Sequence, residues 1–291
     1  MRKSVIAIAV STALMGSSHG EELHPQAYQL SELRGDISPE EAERALEAMF
    51  RHIGYVLHHE IGHLLINELD LPVLGWEEDA ADSLATLMLL WGGTQDAYQT
   101  LYASTHAWVI NHERRGLPPS EMLADEHSLD LQRAYHSVCM MLGADAQAFT
   151  PIADLLSMPE QRRVRCAREL DRLDRSWKAV LEPHRRTHET STVHSVYLEP
   201  GPDTEPFAEV LRAEGLIDNA TARLAEAFVI PREVGIVGRD CGHANAYYVG
   251  EDARVDICYE LAGMSFHMFA DAIVAERSAA DEPRLPAEGA N

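Results

Sequence analysis

The chain has 291 residues, 46% of them hydrophobic, enough for one large or two small domains with real cores. Its formal charge of −23 argues against nucleic acid and against anionic membrane surfaces as partners. Beyond the first twenty residues no apolar stretch approaches the ~20 needed to cross a bilayer, which excludes a transmembrane helix in the mature chain.

Met1-Arg2-Lys3, an apolar run to Met15 and small residues to Gly20 read as a signal peptide over 1–20, directing the protein to the periplasm or outside the cell. Residues 21–37 are expected to be irregular. Ser38-Pro39-Glu40-Glu41 starts a helix, with Ser38 as N-cap, Pro39 at the first helical position and Glu41 closing a capping box. That helix can run to about Asp70, through His59-Glu60-Ile61-Gly62-His63. Four residues apart on a helix, His59 and His63 stand only about 40° apart round the axis, so both imidazoles can reach one ion. Glu60 sits where it can polarise a water bound to that ion. Composition alone would produce such a pattern in roughly 5% of similar chains. The flanking Ile53, Val56, Leu57, Leu64, Leu65 and Ile66 make the helix a buried one, and burying two histidines and a glutamate without partners would cost several kcal/mol. A bound cation removes that cost. Gly62, poor for a helix by about 1 kcal/mol, suggests that something approaches the backbone closely there.

The turn Leu71-Pro72-Val73-Leu74-Gly75 can reverse the chain and lay a second helix, near 77–91, beside the first. Catalytic zinc takes three protein ligands and a water. Glu78 and Asp82 share a face of this second helix, so Glu78 can bind the metal while Asp82 accepts the other ring N–H of a ligand histidine. Asp79 is the rival ligand or a supporting carboxylate, and Glu77 reads more simply as part of an acidic first turn. Further helices are expected near 95–114, 127–142 and 160–180, with Pro118-Pro119 and Thr150-Pro151 marking connections. His184 to His194 is polar and unpatterned, and 184–192 is taken as a linker. Short β-rich runs follow at 193–198, 233–237, 246–249 and 255–259, with Gly250-Glu251-Asp252 as a hairpin loop. Helices fill 205–229 in two pieces and cover 260–277, and the tail 279–291 has a disordered composition. The domain plan is a helical metal-binding domain over 38–183 and an α/β region over 193–278.

Four cysteines in an exported chain suggest two disulfides, although four allow three pairings. The local pairing joins Cys139 to Cys166, tying two helices, and Cys241 to Cys258, tying two strands; no C-x-x-C pair favours a cysteine metal site.

The stretch from His58 to Leu90 resembles the secreted bacterial "putative metallopeptidase" family, a domain of unknown function, and its E-x-x-x-D resembles the gluzincin peptidases. Two more stretches are similar to that family: Asp125–Arg133 leading to Cys139, and Cys241–Tyr248 leading to Cys258-Tyr259-Glu260-Leu261. The resemblance implies one Zn²⁺ held by His59, His63 and Glu78, with Glu60 as general base and Asp82 in support. His127 lies in one of these similar stretches and could donate to the oxyanion formed in hydrolysis; the alternative is a histidine at a helix N-terminus beside Asp125 and Glu126. The family pattern places the Cys241–Leu261 type of segment before the metal helix, whereas here it follows, either as a permutation or as part of a second module.

The fold class expected is α+β, mostly helical: a zincin-like metallopeptidase core with a small antiparallel sheet from the C-terminal region. Zinc peptidases lay an extended substrate along an edge strand, and Asn245 and Tyr247 lie on the run that could supply it. The function expected is zinc-dependent hydrolysis of peptide bonds in a peptide or protein substrate. The alternatives are a non-catalytic zinc-binding envelope protein and a zinc amidase acting on non-peptide amides.

Overall fold

The structure, a computed structural model, describes residues 23–116, 120–186 and 191–281. The expected signal peptide, the Pro118-Pro119 connection, most of the linker's centre and the tail beyond Asp281 lie outside them.

Ser38 accepts the Glu41 amide while Glu41 accepts the Ser38 amide, so the expected capping box opens a 30-residue helix. It is preceded by α1 (Pro25–Arg34), which ends at Gly35 in the left-handed region (φ 71°). The 30-residue helix is α2 (Pro39–Glu68). Residues 25–34 are thus helical rather than irregular. Ala27 and Leu30 are buried in the core that α2 organises, and that tertiary burial outweighs a sequence with little amphipathic pattern of its own.

Next come α3 (Glu77–Gly92), α4 (Gln95–Arg115), a 3₁₀ turn over Ser120–Leu123, α5 (Asp130–Ala144), α6 (Ala146–Leu155) and α7 (Glu160–Leu181). The helix α6 replaces the connection expected at Thr150-Pro151. Asp145 caps it by accepting the Ala148 amide, and Phe149, Ile152 and Ala153 are buried. Pro151, in the middle of so short a helix, removes one of its few backbone bonds, a loss the buried face offsets. Likewise α5 begins at Asp130 rather than near residue 127.

The C-terminal part contains β1 (Val193–Tyr197), α8 (Glu205–Ala213), α9 (Leu216–Ala227), β2 (Val234–Arg239), β3 (Ala246–Val249), β4 (Arg254–Cys258) and α10 (Tyr259–Asp281). Residues 279–281 therefore belong to a helix, not to a disordered tail. The sheet order is β1-β2-β4-β3, with β1–β2 and β2–β4 parallel and only β3–β4 antiparallel. The sheet is mixed, which corrects the antiparallel expectation. The hairpin was visible locally, but the α8–α9 crossover returns β2 parallel to β1, and β4 inserts between β2 and β3.

The molecule is α+β and mostly helical, and α2 is its axis. Leu46, Met49, Ile53, Leu57 and Leu64 of α2 share one core with Ile236, Val255 and Ile257 of the sheet and Phe266 of α10. A second cluster joins α4 to α7 through Leu101, Trp108, Val138 and Phe149. Within it, Cys139 and Cys166 are bonded across α5 and α7, while Cys241, in the loop after β2, is bonded to Cys258 of β4. Both pairings are those expected, except that Cys241 lies just past its strand.

The sheet also reaches α2. Cys258 donates its amide to the Asn245 carbonyl, so Asn245, Tyr247 and Val249 are the residues that bond to β4. By the same alternation the Tyr248 N–H points away from β4, on the side of the Glu60 carboxylate.

Candidate metal centre

The first turn of α3 crosses α2 at Gly62. A Cβ on Gly62 would stand 3.1 Å from the Cα of Ala81 and 3.3 Å from its Cβ, so any larger residue would have to push α3 back by a few tenths of an ångström. The close crossing brings the acidic start of α3 over the two histidines of α2.

The Nδ1 of His59 lies 2.9 Å from Asp82 Oδ1, and the Nδ1 of His63 lies 2.8 Å from Glu77 Oε1. Carboxylates only accept, so each ring donates its Nδ1–H and keeps a lone pair on Nε2. Those two Nε2 atoms face one another at 3.1 Å, and they stand 3.1 and 3.4 Å from Glu78 Oε2. Two ring nitrogens and a carboxylate oxygen that converge in this way offer a cation three donors. Zinc ligands at 2.0–2.1 Å in a tetrahedron are about 3.3 Å apart, so this donor set fits a zinc-sized ion. Two imidazoles and a carboxylate are also the donors of a catalytic zinc site.

The electrostatics agree. Burial alone would lower both imidazoles. The hydrogen bonds to Asp82 and Glu78 nevertheless raise His59, and those to Glu78 and Glu77 raise His63 to about 9. Burial alone would raise Glu78, yet its bonds to His127, His59 and His63 hold it well below the usual carboxylate range. The cluster is built to stabilise positive charge.

Glu60, next to His59 on α2, is 7% exposed. Burial and the nearby Glu78 raise its pKa, against the pull of His59, His63 and the Tyr248 amide. A carboxylate raised in this way is better matched to taking up and releasing a proton near neutral pH.

Among the other expected residues, Asp82 accepts from His59 and Asp79 does not join the histidines. Asp79 instead lines a cavity of about 160 Å³ with Asp82, Ser128, Gln132, Arg133 and His136, behind the His59–Asp82 pair. His127, in the loop before α5, brings its Nε2 to 2.9 Å from Glu78 Oε2. Asn245 is exposed and Tyr247 stacks on His243 at 6.3 Å; neither has a described contact with the cluster. The neighbour Tyr248 does reach the site, through its amide, and its hydroxyl donates to Glu68, which also pairs with Arg232 at 2.7 Å.

Sequence reasoning missed Arg133. Its Nε and Nη2 lie 2.7 and 2.8 Å from the two oxygens of Asp82, its guanidinium sits 4.9 Å from the Trp108 ring centre, and Tyr55 adds a hydroxyl to the same carboxylate. Asp82, although buried, is therefore held well below the usual carboxylate range by Arg133 and His59. An arginine 51 positions downstream of Asp82 offers no local signal for such a pairing.

Residues 24–181 and 199–285 match the family described as "Putative metallopeptidase". Among curated proteins and among solved structures nothing matches the chain.

Proposed function

The chain belongs to that metallopeptidase family, and on this premise we propose that it is a zinc-dependent hydrolase that cleaves peptide bonds. The observation that carries the reading is the convergence of His59 Nε2, His63 Nε2 and Glu78 Oε2 beside the buried Glu60. When bound, zinc supplies the Lewis acidity that brings a water's pKa towards ~7 and polarises a carbonyl. His59, His63 and Glu78 hold the ion. Asp82 and Glu77 fix the two tautomers, and Arg133 fixes Asp82. Glu60 accepts the proton of the attacking water and returns it to the leaving amine, with the Tyr248 amide on the side of its carboxylate.

The substrate class comes from the family description, and β3, an outer strand of the sheet passing beside Glu60, suits an extended peptide. Two disulfides, and the absence among the described residues of any helix long and apolar enough to cross a membrane, support export to the periplasm or beyond.

Glu60→Gln is expected to retain one equivalent of zinc while turnover falls by about 10²–10⁴-fold. His63→Ala should lose both metal and activity. Zinc content by mass spectrometry, with cleavage of a mixed peptide library, measures both. Full activity in Glu60→Gln would overturn the reading. Adding murein fragments to the library separates a peptidase from an amidase, and a zinc-loaded protein inert towards both would be a binding protein.

A further inference from the structure

His127 is held as the two helix histidines are held. Its Nδ1 lies 3.1 Å from Asp125 Oδ1, as His59 stands on Asp82 at 2.9 Å and His63 on Glu77 at 2.8 Å. The three Nε2 atoms approach one oxygen, Glu78 Oε2, at 2.9, 3.1 and 3.4 Å for His127, His59 and His63. Ligand atoms of His59, Glu78 and His127 all lie within 4.8 Å of one another. A carboxylate on Nδ1 with a free Nε2 is the usual dress of a metal-ligating histidine.

We propose that His127 is a fourth, displaceable protein ligand of the ion, closing the site at rest and yielding its place to water or substrate oxygen. The proposal rests on the zinc reading above. Its mobility follows from its setting. His59 and His63 project from the middle of a buried helix, whereas His127 lies in the loop before α5 with its side chain 47% exposed. Asp125 fastens both its amide and its ring, so the loop and the imidazole can swing together as one unit. Four protein donors make a closed tetrahedral zinc site, and three leave a position for chemistry. This chain can pass from one to the other by moving a single surface loop, while the α2–α3 crossing stays in place.

The test compares wild type, His127→Ala and His63→Ala by zinc competition and by the visible absorption of the Co²⁺-substituted proteins. His127→Ala is expected to weaken zinc binding by roughly 10–100-fold, the range seen for groups that support a site, or more. Its cobalt bands should weaken as the tetrahedral donor is replaced by solvent, and added imidazole should restore the wild-type spectrum. Unchanged affinity and an unchanged spectrum in His127→Ala would overturn the assignment alone. A wild type that binds neither metal, or a His63→Ala protein that keeps both, would overturn the zinc reading and this proposal with it.

Discussion

At the scale of residues, the site is a chain of paired charges running from surface to core: Glu77–His63, Glu78 between the rings, His59–Asp82, and Asp82–Arg133. His59 and Asp82 are its most buried members, and Arg133 is partly buried beyond them. Removing it leaves the Asp82 carboxylate buried with only His59 and Tyr55 as partners, and breaking a buried pair from one side costs about 3–5 kcal/mol. Arg133→Met should therefore lower the stability of the protein by that order in urea unfolding. It should also loosen zinc, because His59 loses its fixed acceptor. The double change Arg133→Met, Asp82→Leu is expected to recover much of the stability and none of the zinc affinity. Of this chain, the α2 and α3 members were legible from helical spacing. Arg133 was not, since only packing decides that α5 lays its arginine against Asp82 of α3.

At the scale of elements, the crossing of α2 and α3 decides whether the donors meet. Gly62 and Gly54 lie on the same helix and make a natural comparison. At Gly54 an added Cβ would meet only Leu216 Cδ1 at 3.6 Å and Thr100 Cγ2 at 3.8 Å, ordinary contacts. Gly54→Ala should stabilise α2 by about 0.5–1 kcal/mol through helix propensity. At Gly62 the obstacle is the Ala81 backbone, which cannot turn aside as a side chain can. Gly62→Ala should destabilise by about 1–3 kcal/mol and weaken zinc binding, because α3 carries Glu78. Thermal unfolding with and without zinc distinguishes the two. The sequence suggested a close approach at Gly62 from its cost in a buried helix, but not what approaches. Elements with local signals, such as the Ser38 capping box and the β3–β4 hairpin, were readable. Helix α6 was masked by its proline, and α1 by a composition that becomes helical only against α2 and α8.

At the scale of the whole molecule, two largely buried histidines away from the candidate metal centre set an acid limit. His52 on α2 and His106 on α4 pack against Phe269 of α10, and burial lowers both to about 4 from 6.5. For His52 the charge of Arg133 adds to this, and its Nδ1 has no hydrogen-bond partner among the described residues. A lowered folded pKa means that the unfolded chain binds more protons between these two values. Stability should fall as pH drops from about 6.5 and level off below about 4, by up to about 3 kcal/mol for each ring. Denaturant midpoints between pH 7.5 and 4, taken with a chelator so that metal release does not contribute, should show the fall. The His52→Leu, His106→Leu double variant should flatten it.

By itself the sequence determined what depends on neighbours along the chain: the capped helix, the i, i+4 histidines with Glu60 between them, the i, i+4 carboxylates of the next helix and the short-range disulfides. Helical geometry repeats, so such spacing translates directly into a shared face. Tertiary structure alone decided which carboxylate turns inward, that Arg133 braces Asp82, that the Tyr248 amide meets Glu60, and that His127 arrives from a loop with its Nε2 aimed at Glu78. These depend on the distance between elements far apart in the chain, which is set by how their surfaces pack and has no period that a sequence can display.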